Sequence, residues 1–88
     1  MLTPVLGTRF RRDVKRLEKR GRDLSKLRSL IAMLVSGDPL PARFLDHPLS
    51  GDWKHHRDCH IEPDWLLLYK IDGNELYLIR TGSHADLF

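Results

Sequence analysis

The sequence predicts an α+β fold in which two helices pack on a small antiparallel β-sheet. Apolar residues recur at helical spacing in the first 36 residues, whereas later segments alternate or run continuously apolar, as strands do. The turn Asp72-Gly73-Asn74 separates the last two apolar runs and indicates a β-hairpin. Helices followed by a series of strands are typical of a two-layer α+β arrangement. Because 88 residues suffice for one core, we expect a single domain over residues 1–88.

The N-terminal half contains both predicted helices. Residues 2–6 are apolar but include a proline, which fits a short edge strand or an extended segment that leads into the first helix. Helical spacing begins at Thr8, a candidate N-cap, and stops at Gly21, a residue that commonly ends helices. Asp23 is a candidate cap for the second helix, which Gly37 ends. Since about two residues join these helices, we expect an antiparallel hairpin with basic outer faces.

The second half is predicted to supply the sheet, after a proline-bearing connection at residues 36–51. Strands are expected at residues 53–61, 65–71 and 75–80, and the middle one is apolar on both faces, as in a central strand. Alternation along the first strand separates one face, with His56, Asp58 and His60, from the other, with Arg57, Cys59 and Ile61. The predicted sheet has three or four strands, with the helices on one face and the other face open.

Basic residues are concentrated in the predicted helices. Residues 1–30 contain ten Lys and Arg against three Asp and Glu, a net charge of +7, whereas the five basic and nine acidic residues that follow give −4. Such asymmetry on a helical surface favours nucleic acid or an acidic partner over a merely solvated face.

Composition also excludes several classes of protein. No apolar run approaches the roughly 18 to 20 residues of a membrane span, and the N-terminus does not resemble a signal peptide, so we expect a cytoplasmic protein. Cys59 is the only cysteine, which excludes an internal disulfide and favours a buried thiol.

Titratable residues recur at or beside the predicted strand ends: His47, His60, Asp64, Arg80 and His84. Cleavage of RNA without a metal requires a base for the 2′-OH, an acid for the departing 5′-oxygen and a cation beside phosphorus. Histidine, with an ordinary pKa of about 6.5, suits both proton roles, and the arginine fork suits phosphate oxygens. These residues therefore favour phosphodiester cleavage.

Candidate substrate-binding residues lie close to these positions in the sequence. Trp65 and Phe88 are candidates for stacking on splayed bases, although Trp65 also suits the core because it begins an apolar strand. Arg57 and Lys54 complete the predicted substrate-binding set.

A metal site is an alternative use of the same residues. Two sets of three ligands are conceivable, namely His56, Asp58 and His60, or His60, Asp64 and His84. The chain has neither a His-Glu-x-x-His motif nor paired cysteines, which are the specific zinc signatures. We therefore predict no metal and no cofactor.

Three motifs in a fixed order resemble the YafQ branch of the RelE-type toxins, in the RelE/ParE superfamily. They are DHPLSG at residues 46–51, RDCHIEPDW at 57–65 and RTGSHADLF at 80–88. The resemblance implies a RelE-like microbial RNase fold and a type II toxin–antitoxin toxin. It further implies an mRNA interferase that cuts translated mRNA in the ribosomal A site without a metal. The implied partners are a cognate antitoxin, the ribosome with its rRNA and mRNA, operator DNA only through the antitoxin complex, and no membrane.

The resemblance also implies an active site, because the family's positions match His47, His60, Asp64, Trp65, Arg80, His84 and Phe88. We expect His84 to act as general acid, and either His60 with Asp64 or His47 to supply the base. One alternative is a non-catalytic RNA- or ribosome-binding module that inhibits translation by occlusion. Another is a degenerate toxin kept as an antitoxin-bound repressor.

Overall fold

A computed structural model describes residues 1–88 as a helical layer packed on a five-stranded sheet. The elements are β1 (Thr3–Leu6), α1 (Thr8–Lys19), α2 (Ser25–Ser36), β2 (His47–Pro48), β3 (Arg57–Glu62), β4 (Trp65–Asp72), β5 (Glu75–Gly82) and α3 (His84–Leu87). Single 3₁₀ turns at Ala42–Phe44 and Gly51–Trp53 flank β2. The predicted α+β class is confirmed. No helix is long and apolar enough to cross a membrane.

The sheet has the strand order β1-β5-β4-β3-β2. Strands β2 to β5 pair antiparallel, and Gly73, with a φ of 59°, makes the tight turn of the predicted β4–β5 hairpin. The sheet differs from the prediction in strand number and in the direction of one pair. β1 pairs parallel with β5, which makes the sheet mixed, and the two-residue β2 is a fifth strand too short to leave a sequence signature. The predicted strand from Trp53 begins only at Arg57, because residues 51–53 form a 3₁₀ turn.

The two long helices form the predicted antiparallel hairpin. α1 begins beside Leu78 of β5 and reaches Asp86 at its C-terminal end, whereas α2 begins at Glu62 and returns to Leu2. The predicted N-cap was wrong by one position, since Gly7 precedes α1 and no side chain caps it. Asp23 does accept a hydrogen bond from the Ser25 amide, as a residue before α2.

The main core lies between the helices and one face of the sheet, which we call the helix face. It contains Phe10 and Leu17 of α1, Leu27, Leu30 and Leu34 of α2, and Cys59, Trp65, Leu67, Tyr69, Leu76 and Leu78 of the sheet. A smaller cluster of Leu66, Leu68 and Leu87 occupies the opposite face. We call that second face the open face, because neither α1 nor α2 covers it. Burial raises the pKa of the Cys59 thiol, in agreement with an inert core cysteine.

Candidate active site

Three histidines from separate segments lie side by side on the open face, and we call them the histidine row. Pairing of β2 with β3 places His47 opposite Asp58, alternation along β3 directs His60 to the same face, and α3 begins with His84. The ring centroids are 6.3 Å apart for His47 and His60 and 5.7 Å apart for His60 and His84. The structure therefore brings together all three histidines that the sequence analysis selected.

A buried carboxylate lies behind the histidine row. Asp58 is 4% exposed, and its Oδ1 lies 3.7 Å from both His47 Nδ1 and His60 Nε2. This oxygen accepts no hydrogen bond. A buried carboxylate without a donor is costly for the fold and is favoured where a neighbouring group becomes positively charged. The sequence analysis considered Asp58 only as a metal ligand, although its alternation with His60 was the signal that placed it here.

Asp64 holds His84 at the start of α3. Its Oδ1 accepts hydrogen bonds from the His84 backbone amide at 2.9 Å and from His84 Nδ1 at 2.6 Å. The hydrogen bond from the His84 backbone amide is the main cause that lowers the pKa of Asp64, and the hydrogen bond from the imidazole is the second. Both keep this carboxylate ionised. The predicted pairing of Asp64 with His60 was wrong, because the turn between β3 and β4 directs Asp64 to α3.

His47 is oriented by the backbone that precedes it. Leu45 adopts a left-handed conformation with a φ of 49°, and its carbonyl oxygen lies 2.6 Å from His47 Nδ1. Since a carbonyl only accepts, we assign the Nδ1 proton to this bond, which leaves Nε2 of the neutral ring as an acceptor. The His47 side chain is 46% exposed, so this nitrogen is available to a substrate.

Arg80 lies in the same cross-strand row as Asp58 but two strands away. Asp58 pairs with Leu68 and Leu68 pairs with Arg80 in the sheet register. The guanidinium is directed to the edge of β5, where Asp13 of α1 accepts from Nε at 2.7 Å and from Nη2 at 3.1 Å. This pairing raises the pKa of Arg80. No hydrogen bond joins Arg80 to the histidine row.

Trp65 does not contribute to the open face. It is fully buried on the helix face, and its Nε1 donates to Thr81 Oγ1 at 2.9 Å. The Arg22 guanidinium covers the ring at 4.9 Å from its centroid. A base therefore has no access to the indole, which contradicts the prediction that Trp65 stacks on RNA and supports the alternative that it is a core residue.

A different tryptophan lies at the open face beside Phe88. Phe88 is 62% exposed and meets Trp53 edge to face, with ring centroids 6.4 Å apart. Trp53 also packs against His56 at 5.5 Å. Trp53 was not predicted as a site residue because it was assigned to a strand, whereas it lies in a 3₁₀ turn and packs beside Phe88 at the open face.

The two predicted cationic substrate ligands have different surroundings. Arg57 lies on the helix face with Cys59, and its Nε donates to Asp46 Oδ1 at 3.2 Å, which raises the pKa of Arg57. Tyr69 donates to the same Asp46 oxygen at 2.5 Å. Arg57 therefore stabilises the segment before His47 rather than joining the histidine row. Lys54 is exposed and its ammonium forms no ion pair, so it stays a candidate for contacting RNA.

The metal alternative finds no support in the arrangement of the side chains. No group of three or more His, Cys, Asp or Glu side chains converges to hold a metal ion. Neither ligand set considered from the sequence converges: His56 precedes β3 and packs against Trp53, away from Asp58 and His60, and Asp64 pairs with His84 whereas His60 lies beside Asp58.

The whole chain matches a known family. The family model that describes the bacterial toxin YafQ of type II toxin–antitoxin systems matches residues 2–88. The chain belongs to the YafQ toxin family. It is 49% identical over 80 residues to the mRNA interferase toxin YafQ of Escherichia coli K12, an alignment that covers 90% of this chain and 87% of that protein.

Solved structures of YafQ and of a Helicobacter pylori toxin show the same fold. A copper-bound mutant toxin from Helicobacter pylori superposes with a TM-score of 0.95 and 43% identity, covering all of both chains. YafQ in the E. coli DinJ–YafQ complex superposes with a TM-score of 0.92 and 44% identity over 100% of this chain and 99% of that one. The RelE-like fold and the membership of the YafQ family, both expected from the three motifs, are therefore confirmed.

The YafQ fold concentrates unpaired cations on α1. Arg16 and Arg20 form ion pairs with acidic residues, but five exposed cations of this helix form none: Arg9, Arg11, Arg12, Lys15 and Lys19. In α2 and the segment before it, Arg22 and Lys26 both pair with Glu62. The positive potential predicted from the sequence therefore lies mainly on the exposed surface of α1.

Proposed function

We propose that this YafQ toxin is an mRNA interferase that cuts translated mRNA in the ribosomal A site by metal-independent acid–base catalysis. The observation that carries the proposal is the histidine row, in which His47 and His84 are about half exposed and each is oriented through Nδ1 by an acceptor oxygen. Two imidazoles fixed in this way present Nε2 to a substrate and suit the two proton transfers of RNA cleavage.

On the base side, His47 receives the proton of the ribose 2′-OH. Its Nδ1 proton is committed to the Leu45 carbonyl, so the lone pair of Nε2 is the accepting site. The 2′-oxygen then attacks phosphorus, and the bond from phosphorus to the 5′-oxygen breaks. The imidazolium formed at His47 lies 3.7 Å from Asp58, whose negative charge stabilises it.

On the acid side, His84 protonates the departing 5′-oxygen. Asp64 is ionised and accepts a hydrogen bond from Nδ1, which orients the ring so that Nε2 faces the substrate as the proton donor. His60 lies between the two exposed rings with its side chain 18% exposed. We place it beside the scissile phosphate, with the Asp58 carboxylate 3.7 Å from its Nε2.

Arg80 is the cation of the proposal, although it is 7% exposed and paired with Asp13. No hydrogen bond within the chain uses its Nη1, which leaves one edge of the guanidinium for a phosphate oxygen. Phe88 and Trp53 pack together at the open face and Lys54 follows Trp53 in the chain, so these three residues suit a stacked base and its backbone.

The proposal includes the partners of a toxin–antitoxin system. The structures of the DinJ–YafQ complex support a cognate antitoxin that forms a hetero-oligomer with this chain. The unpaired cations of α1 suit rRNA or an acidic antitoxin segment. We expect operator DNA to be bound only through the complex with the antitoxin, and cleavage to take place in the cytoplasm, where translating ribosomes present the message.

The test is cleavage of a defined message in a reconstituted translation system, with and without ribosomes. Wild type is expected to cut only ribosome-bound message, and His84→Ala to lose at least two orders of magnitude in rate, the usual contribution of a general acid. The matched control is His55→Asn, because His55 is exposed, forms no ion pair and has a φ of 74°, which asparagine tolerates.

The alternative predicts a different result in the same assay. If wild type and His84→Ala block translation equally while the message stays intact, the chain acts by occlusion and the catalytic proposal is wrong. Cleavage that EDTA abolishes and a divalent ion restores, with intact ribosomes, would instead support metal catalysis.

A further inference from the structure

An alternating series of charges runs from Arg80 along α1 to α3, and we call it the charge ladder. Its members are Arg80, Asp13, Arg16, Asp86 and Arg20. Arg80 Nε lies 2.7 Å from Asp13, Arg16 Nη2 lies 3.0 Å from Asp13 and 3.8 Å from Asp86, and Arg20 Nη1 lies 3.3 Å from Asp86. Asp13, Arg16 and Arg20 take no part in the proton transfers proposed for RNA cleavage. The ladder nevertheless begins at the proposed phosphate-binding cation.

Asp13 occupies a position where helical spacing calls for an apolar residue. It lies between Phe10 and Leu17 on the buried side of α1, and it is itself only 2% exposed. Its two oxygens accept four hydrogen bonds, from Nε and Nη2 of Arg80, from Nη2 of Arg16 and from the Thr81 amide. A buried carboxylate is tolerated when it is paired and its oxygens are hydrogen-bonded, as these four bonds achieve here.

The topology explains why a carboxylate is needed at this point. β1 pairs with β5 only as far as Leu78, so the Thr81 amide has no strand partner on that edge. Asp13 accepts a hydrogen bond from this amide at 3.1 Å, in place of a neighbouring strand, and also binds the Arg80 guanidinium. The guanidinium is thereby fixed by two bonds, with Nη1 left free of any bond within the chain.

We propose that Asp13 is a positioning residue for Arg80, a role that rests on the proposed function. An arginine held in one orientation before the substrate arrives stabilises charge developing on phosphorus without first having to be ordered. Asp13 acts through Arg80 and does not contact the substrate.

The remaining members of the charge ladder, Arg16, Asp86 and Arg20, orient the helix that carries His84, the proposed general acid. Asp86 is the capping-box partner of Ser83 at the start of α3, the helix that carries His84. Arg16 and Arg20 hold Asp86 from α1, so one helix orients both the proposed phosphate ligand and the proposed general acid. The experiment concerns Asp13, where the contacts are shortest and most buried.

The experiment is a double-mutant cycle in the single-turnover cleavage of ribosome-bound message. Asp13→Asn and Asp13→Glu are compared in the wild-type and Arg80→Ala backgrounds, with Glu18→Gln, an exposed acid of the same helix, as control. We expect each Asp13 variant to lower the rate constant at least tenfold while half-saturation shifts less than threefold. In the Arg80→Ala background the same substitutions are expected to change the rate less than twofold. Urea unfolding of every variant separates lost folding from lost positioning.

A measurement on the wild-type protein tests the same contact without any variant. NMR of the arginine side chains is expected to show the Arg80 Nε proton exchanging with water at least tenfold more slowly than that of Arg9, which is exposed and unpaired. Equal exchange rates would overturn the proposal. So would an Asp13 effect of the same size in both backgrounds, since Asp13 would then act on the fold alone. Wild type that cuts no message would refute the proposed function, while slow Arg80 exchange would still show the contact.

Discussion

The buried carboxylate behind the histidine row provides a sharp test of the proposed chemistry. Replacing Asp58 by asparagine removes its charge and keeps its shape. Asp58 Oδ1 lies 3.7 Å from a nitrogen of His47 and of His60, a separation at which opposite charges attract by about 4.5 kcal/mol at an effective dielectric constant near 20. Solvent screening reduces this value, because the His47 side chain is 46% exposed. We therefore expect Asp58→Asn to destabilise an imidazolium in the row by about 1–3 kcal/mol, which slows cleavage about 5- to 150-fold.

The same substitution is expected to leave the fold unharmed. Asp58 Oδ1 accepts no hydrogen bond, so burying this charge costs the native state more free energy than burying a neutral amide of the same shape. The free energy of unfolding of Asp58→Asn is expected to equal that of wild type or to exceed it by up to about 1 kcal/mol. A slower enzyme with an equally stable fold would identify Asp58 as a functional residue.

The assay is single-turnover cleavage of a ribosome-bound message at saturating toxin, alongside urea unfolding of the free toxin. Asp52→Asn is the matched control, because Asp52 is exposed and forms no ion pair. A rate within twofold of wild type for Asp58→Asn would refute the reasoning that this charge supports a catalytic imidazolium. Loss of more than about 2 kcal/mol of stability would instead mean that Asp58 is structural.

Three further predictions concern the supports of the site. Hydrogen bonds from the Ser83 backbone amide and side chain, with Arg16 and Arg20 nearby, lower the pKa of Asp86 from its ordinary 3.8. The stability that this carboxylate contributes is therefore present above pH 3.8 and is lost as the pH falls through its folded pKa. Asp86→Asn is expected to reduce this loss of stability in acid, as measured by unfolding from about pH 2 to 6. Tyr69→Phe removes the hydroxyl bond to Asp46 and is expected to cost about 1.5 kcal/mol in urea unfolding; an unchanged midpoint would contradict this value. Phe88→Ala, at an exposed position, is expected to change stability by less than about 0.5 kcal/mol but to raise the half-saturating toxin concentration at least fivefold; unchanged binding would exclude base stacking on Phe88.

The elements with strong periodic patterns could be predicted from the sequence. The apolar stripe of α2, the continuous run of β4 and the turn at Gly73 each encode local structure, and the structure contains all three. β2 could not be predicted, because two residues carry no periodicity, and the direction of β1 depends on a partner 72 residues away. Short segments and non-local pairings are where local patterns stop being informative.

The three histidines of the candidate site could be predicted from the sequence, whereas the residues that pack against or orient the site could be predicted less well. His47, His60 and His84 stood at strand ends and meet in one row. Trp65 was misplaced because an aromatic residue beside a catalytic candidate resembles a base platform, whereas its indole fills the core. Asp13 was missed because it was counted among the charges of a basic helix, and only the register of β5 reveals its partner.

The parallel pairing of β1 with β5 has a consequence for how this protein folds. The β3–β4–β5 segment joins neighbours through short turns, so it closes small loops, whereas pairing Thr3 with Glu75 closes a loop that spans most of the chain. Local hairpins of this kind form before long-range contacts in small domains. Asp13 reaches Arg80 only when that last closure brings α1 against β5. A folding chain in which strands β3 to β5 have paired but α1 has not yet docked would therefore leave Arg80 unoriented, and the toxin would become active only once α1 packs against β5.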